Sequence, residues 1–171
     1  MPCSNSILNS FTIDCNDSNG GVAQIKVRAF DATLVTSGLA TVTSGQVTFA
    51  GSGLTDWYAF DCAQETSVAT SDGATDRAAG TSVHTQTITY INNKLKVAFR
   101  NTLNNMHGML VHVAVKDNNG NAWLFGYERG LIVSASSSAT GTAFNERNGY
   151  SVTFTGREKD TILSITNYDN L

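Results

Sequence analysis

The chain is predicted to be mainly β: an antiparallel β-sandwich or barrel-like domain with one flanking α-helix. Three observations carry this. Apolar and polar residues alternate in short runs, as in Val111, Val113 and Val115, the pattern of a strand with one buried face. Turn sequences rich in Gly and Asn separate those runs at close intervals, as in hairpins. One window alone, Leu95 to Met106, shows a convincing helical period.

The elements follow in order. Residues 1–20 mix Ser, Asn, Asp and Cys around Ile7, Leu8, Phe11 and Ile13, and read as an arm that orders on a partner. Gly20-Gly21 ends it, and a domain spanning residues 21–158 begins. Val22 to Phe30 alternates Ala23, Ile25, Val27 and Ala29 against Gln24, Lys26 and Arg28, so a half-buried strand is expected with those three polar side chains in water. Asp31 to Gly53 reads as short strands and turns. Trp57 to Phe60 is a firmer strand, and the segment Gln64 to Val68 follows.

Thr70 to Gly80 has no large apolar residue, and an exposed loop, ordered only in an assembly, is expected. In Thr81 to Ile91, Val83, Thr85, Thr87 and Thr89 should face one side and His84, Gln86, Ile88 and Tyr90 the other. The helix is expected over about 93–107. Leu95, Ala98, Phe99, Leu103 and Met106 form its apolar stripe, Asn92 or Asn93 its N-cap, and Gly108 its end. It should lie across the sheet and cap its core.

Val111 to Val115, the turn Asp117-Asn118-Asn119-Gly120 and Trp123-Leu124-Phe125 form a hairpin signal. A strand Leu131 to Ala135, a small-residue loop Ser136 to Thr142, the turn Asn148-Gly149 and the strand containing Tyr150, Val152 and Phe154 complete what reads as a meander. Residues 159–171 form a strand-like tail, with Thr161 to Thr166 expected to pair with another edge in this chain or a neighbour.

Composition narrows the function. At 171 residues one domain is the simplest division, burying about 70% of the unfolded surface. Charged residues are 15% of the chain, against about 25% in typical domains, which suits hydroxyl-lined sheets covered by neighbouring subunits. A net charge of −3 lacks the basic balance that tight nucleic-acid binding requires. Cys3, Cys15 and Cys62 are odd in number and form no C-x-x-C pair, so reduced thiols of a protein made in a cytosol are expected, without disulfide or zinc. Met1 to Ser6 has no signal-peptide character, and no run approaches the ~18 apolar residues of a membrane span.

Candidate chemistry is sparse. His84, His107 and His112 lack an acid or nucleophile placed nearby in sequence. Ser136-Ser137-Ser138 sits in no Gly-x-Ser-x-Gly elbow. The pairs Asp14 with Asp17 and Asp61 with Glu65 read as turn caps, and Asp117-Asn118-Asn119-Gly120 lacks the distal Glu of a calcium loop. No catalytic, cofactor-binding or metal residue is assigned. Adjacent charges at Glu128-Arg129, Glu146-Arg147 and Arg157-Glu158 point to opposite faces of their strands, so one member of each pair is a possible subunit-interface residue.

The segments GGVAQIKVRAF, TQTITYINNKLKVAFRNTL, KDNNGNAWLFGYERG and GTAFNERNGYSVTFTG resemble tail tube, or major tail, structural proteins of tailed phages and prophages of Bacteroidetes, from about Gly20 to Glu158. The resemblance implies a virion subunit of the tail-tube fold, forming stacked hexameric rings around a channel for genome delivery. It also implies assembly in a host cytoplasm, other tail proteins as partners, no membrane, and DNA passing through without specific binding. A tail terminator, head-tail connector or capsid decoration protein is the alternative within the virion. A carbohydrate- or host-surface-binding β-module using Trp57, Tyr58, Trp123 and Tyr127 is the alternative outside it; an enzyme is the least expected.

Overall fold

The computed structural model describes residues 18–50 and 56–171. The strands are β1 (Val22–Ala29), β2 (Ala40–Thr43), β3 (Gln46–Phe49), β4 (Tyr58–Asp61), β5 (Val68–Asp76), β6 (Thr81–Asn92), β7 (Val111–Asp117), β8 (Ala122–Phe125), β9 (Ile132–Ala139), β10 (Gly149–Glu158) and β11 (Leu163–Ile165). One α-helix, α1 (Val97–Met106), and a 3₁₀ turn at Tyr168–Asn170 complete the described elements. The strands form two sheets, ordered β2-β3-β11-β8-β7-β1-β4 and β5-β6-β10-β9. Every pairing is antiparallel except β11 with β3. The chain is mainly β, as its alternation predicts, and among the described residues neither sheet closes into a barrel.

Two apolar clusters hold the sheets. The first is shared by β1, β7 and β8 of the large sheet, β6 and β10 of the small one, and α1, with Ile25, Ile88, Val113, Val152 and Phe154 almost fully buried. The second lies on the other face of the large sheet, around Leu34, Val47, Phe49, Trp57, Leu124 and Tyr168. Strand β7 feeds both: Val113 and Val115 enter the first cluster, Ala114 the second, because successive side chains leave a strand on opposite faces.

The helix caps the first cluster. Phe99, Leu103 and Met106 are buried, and the Phe99 ring lies 5.0 Å from Tyr150 and 5.8 Å from Phe60. Burial of such a ring contributes about 1.5–3 kcal/mol. The helix starts four residues later than the predicted position 93. Asn92 Oδ1 accepts the Lys94 N–H at 3.0 Å, an Asx-type turn that competes with helix for the backbone. Lys96 takes the cap position with no side-chain bond, and Ala98 is exposed. At the other end Gly108 adopts φ 80°, a conformation that suits glycine.

Four expectations are overturned. The residues from Val111 to Glu158 are not one meander: β7 and β8 pair in the large sheet, β9 and β10 in the small one. The chain changes sheets at Gly126 and Gly130, whose φ values of 69° and 75° allow the corner. Thr70 to Gly80 is not a loop, since β5 pairs with β6 along its whole length and only Arg77 to Gly80 turns. Nor is Ser136 to Thr142, since β9 runs on to Ala139. Both strands are edges held by main-chain bonds, so they need no apolar signal. Finally, Lys26 and Arg28 are buried, because the tail covers one and the segment after β1 the other.

The tail pairs within this chain. β11 lies between β3 and β8, and Tyr168 beyond it joins the second cluster. Most of the N-terminal arm and part of the segment Asp31 to Gly53 lie outside the described residues.

Candidate functional site

The small sheet is the part of the fold with the most unused bonding capacity. β5 and β9 are its two edges, each paired on one side only among the described residues, so each offers a row of backbone N–H and C=O groups. β9, IVSASSSA, has no charge and no proline, and nearly all of it is exposed. Natural edge strands are blunted by lysines, prolines, brevity or cover. Its one such feature is a bulge, where the register shifts between Thr153 and Phe154 of β10. The large sheet differs, since its edges β2 and β4 have only four residues each.

The outer face of the small sheet is hydroxyl-lined. Ile88, Tyr90, Val152 and Phe154 point into the core, which sends Thr85, Thr87, Thr89, Ser151, Thr153 and Thr155 the other way. The register sets Thr89 opposite Thr153, Thr87 opposite Thr155 and Thr70 opposite Thr87. Ser134 Oγ lies 2.9 Å from Thr155 Oγ1, so neighbouring strands are also linked through their hydroxyls. Charge enters toward the margin, where Asp72 faces Thr85, Asp76 faces Thr81 and Thr85 faces Arg157, and the exposed Val68 and Ile132 stand opposite Thr89 and Thr155. The predicted division of β6 into two faces is the one observed.

The six charged residues at strand ends separate into different roles. Glu158 is buried, and its carboxylate accepts the N–H of Glu128 at 3.2 Å and of Arg129 at 2.9 Å. Burial pushes its pKa up against the pull of those N–H groups. Glu128, Arg129 and Arg157 are exposed around it. Glu146 is exposed, and its Oε2 accepts the N–H of Thr142 and of Ala143, bonds that hold its pKa below the usual range. Arg147 beside it is exposed. Sequence adjacency marked these pairs, but which member turned inward depended on the corner that Glu158 ties down.

The same corner accounts for His112. Its Nδ1 lies 2.7 Å from the Gly126 carbonyl, and Gln86 Oε1 accepts the Gly126 N–H at 2.8 Å. A buried corner must find partners for its backbone, and here Gln86, His112 and Glu158 supply them. His84 is half-buried over Gly73. His107 Nε2 lies 3.1 Å from Ser136 Oγ, a contact that sequence order did not suggest; both residues are exposed. Among the described residues no group of three or more His, Cys, Asp or Glu is placed to hold a metal. Cys62 is partly buried and its thiol pKa is raised, chiefly by burial; Cys3, Cys15, Asp14 and Asp17 lie outside the described residues.

The four aromatic residues of the carbohydrate-binding alternative do not share a face. Trp57 is buried in the second cluster, Trp123 packs on the first, and Tyr127 on the second. Tyr58, at 66% exposure, stands on β4 beside a different cleft. Two features passed unnoticed in the sequence: the second half of β9, and Phe144, whose lone large apolar side chain among GTAFNERNG was the available signal. Among the described residues no helix is long and apolar enough to cross a membrane. No protein-family model, no curated protein and no solved structure matches the chain.

Proposed function

We propose that this chain is a tail-tube subunit of a tailed phage or prophage, assembling into stacked hexameric rings around a channel through which the genome leaves. The observation that carries the reading is that the two edges on opposite sides of one four-stranded sheet have no further strand partner among the described residues. A contact between β9 of one copy and β5 of the next is heterologous, and such contacts close into rings when the rotation allows. Six copies joined this way make a barrel of about 24 strands, wider than the 16–18-stranded porins that already enclose an aqueous channel. Closure removes every open edge of the small sheets.

The face left for the channel is then the one carrying Thr85, Thr87, Thr89, Thr153 and Thr155, since the other face packs on the core. A hydroxyl lining with few cations gives phosphates nothing to bind tightly, so DNA slides. In this reading the partners are sister copies and other tail proteins, and the location is the virion tail.

Negative-stain electron microscopy of the purified protein tests it. Rings or tubes with a central channel are expected. Dispersed monomers at high concentration would overturn the reading, and single rings that never stack would move the chain to a terminator or connector position.

A further inference from the structure

Strand β6 changes character along its inner face. Ile88 and Tyr90 belong to the first apolar cluster, but the two inward positions before them are Gln86 and His84. Both line a cleft of about 490 Å³ between the two sheets, bounded by the end of β10 and by the segment that crosses from it to β11. That volume lies within the roughly 300–1,000 Å³ range of small-molecule pockets.

The polar groups of this cleft are largely unspent. Gln86 is only 2% exposed; its Oε1 accepts the Gly126 N–H at 2.8 Å, while its Nε2 has no hydrogen-bond partner among the described residues. His84 Nδ1 is shut from solvent, likewise without a partner among the described residues. A buried donor left unpaired is costly, so the Gln86 amide calls for an oxygen supplied from outside. Three carboxylates, those of Glu128, Glu158 and Asp160, also line the cleft, and among the described residues no Lys or Arg does. Glu158 spends its oxygens on main-chain N–H groups. Glu128 and Asp160 are exposed at the rim and have no ion-pair partner among the described residues.

This mixture of groups selects among ligands. An anion meets three negative charges. A simple cation suits the carboxylates but sets its charge against the Gln86 N–H, and an apolar molecule leaves every polar group unpaired. A hydroxyl both donates and accepts. We propose that the cleft binds a neutral saccharide, one hydroxyl accepting from Gln86 Nε2 and others donating to the Glu128 and Asp160 carboxylates. Val42, Ile162 and Leu163 supply an apolar wall for the C–H face of a sugar ring. The site lies within one copy and is independent of the ring-forming reading, and it uses none of Trp57, Tyr58 and Trp123.

Ligand-observed saturation-transfer NMR on the purified chain tests it, because weak binding is read from monomers and from assemblies alike. The probes are glucose, galactose and N-acetylglucosamine, with spermidine and citrate as charged comparisons. Transfer to at least one sugar, and to neither charged probe, is expected. Gln86→Glu keeps an oxygen for the Gly126 N–H and removes the unspent donor; Asp160→Ala removes an exposed acceptor at the rim. Each should weaken sugar binding about ten-fold or more, while Asp72→Ala on the other face of the small sheet should not, with thermal melts to verify folding. If Gln86→Glu fails to fold, Asp160→Ala carries the test alone. No transfer to any of the sugars, stronger transfer to spermidine or citrate, or sugar binding undiminished in Asp160→Ala overturns the site and leaves the ring reading standing.

Discussion

His112 and Gly126 are joined by a 2.7 Å hydrogen bond in which Nδ1–H donates to the carbonyl, while His112 Nε2 accepts the Asp31 N–H at 3.1 Å. The Asp31 N–H selects the neutral tautomer protonated at Nδ1, while Nε2 also lies 3.4 Å from the Asp31 carbonyl oxygen. Burial is the main cause that lowers the His112 pKa from its ordinary value near 6.5.

A folded-state pKa below the unfolded one means that the unfolded chain binds more protons in between. The stability linked to His112 is therefore complete above about pH 6.5 and is lost as pH falls through the lowered folded value. Urea midpoints should drop between roughly pH 7 and pH 5. His112→Gln should cost about 1–3 kcal/mol at the upper end and show a flatter dependence below it. Parallel pH profiles for the two proteins would contradict this assignment.

Tyr168 ties the tail to the large sheet. Lys26 Nζ donates to the backbone oxygens of Tyr168 and Leu171 at 3.1 and 3.0 Å and stands 4.5 Å from the centre of the Tyr168 ring. Tyr168→Ala should cost about 3–5 kcal/mol, as for other large aromatics removed from cores. Tyr168→Phe, which loses only the bond to Gln24 Oε1, should cost about 0.5–1.5 kcal/mol. Chemical denaturation measures both, and equal losses would mean that the hydroxyl, not the ring, holds the tail.

Ala135 and Ser137 are exposed on β9, opposite Thr153 and Ser151. Lysines placed on an edge strand block pairing with another chain. The double variant Ala135→Lys with Ser137→Lys should fold with stability within about 0.5 kcal/mol of the wild type and should form no rings in electron micrographs. Rings from this variant would locate the subunit junction elsewhere.

Thr87 and Thr155 sit opposite each other on the hydroxyl face. If that face lines the channel, lysines there convert a passive wall into a phosphate-binding one. Assembled Thr87→Lys with Thr155→Lys should retain duplex DNA at low salt and release it steeply as salt rises, whereas wild-type assemblies should retain little. Filter retention across a salt series reads the difference, and identical curves would mean that this face does not meet DNA.

The alternation of Val111 to Val115 and of Thr81 to Ile91, and the stripe of Phe99, Leu103 and Met106, were legible because periodicity is a local property that marks a buried face. The polar corner was not. Gln86, His112 and Glu158 are far apart in the chain and become one feature only where Gly126 to Gly130 carries the chain from one sheet to the other. The adjacent charges at Glu128, Glu146 and Arg157 were visible, but their orientation depended on which backbone donors stood nearby.

By itself, then, the amino-acid order determined a mainly β chain, one helix and the inward face of its central strands, since these follow from side-chain type and spacing. Tertiary structure alone decided that β9 leaves β8 for the other sheet, that β11 slips between β3 and β8, and that Lys26 and Arg28 are enclosed. It also turned Thr70 to Asp76 and Ser136 to Ala139 into edge strands. The reason is physical: strand pairing is made by backbone groups that every residue shares, so no side-chain pattern announces which strands will meet.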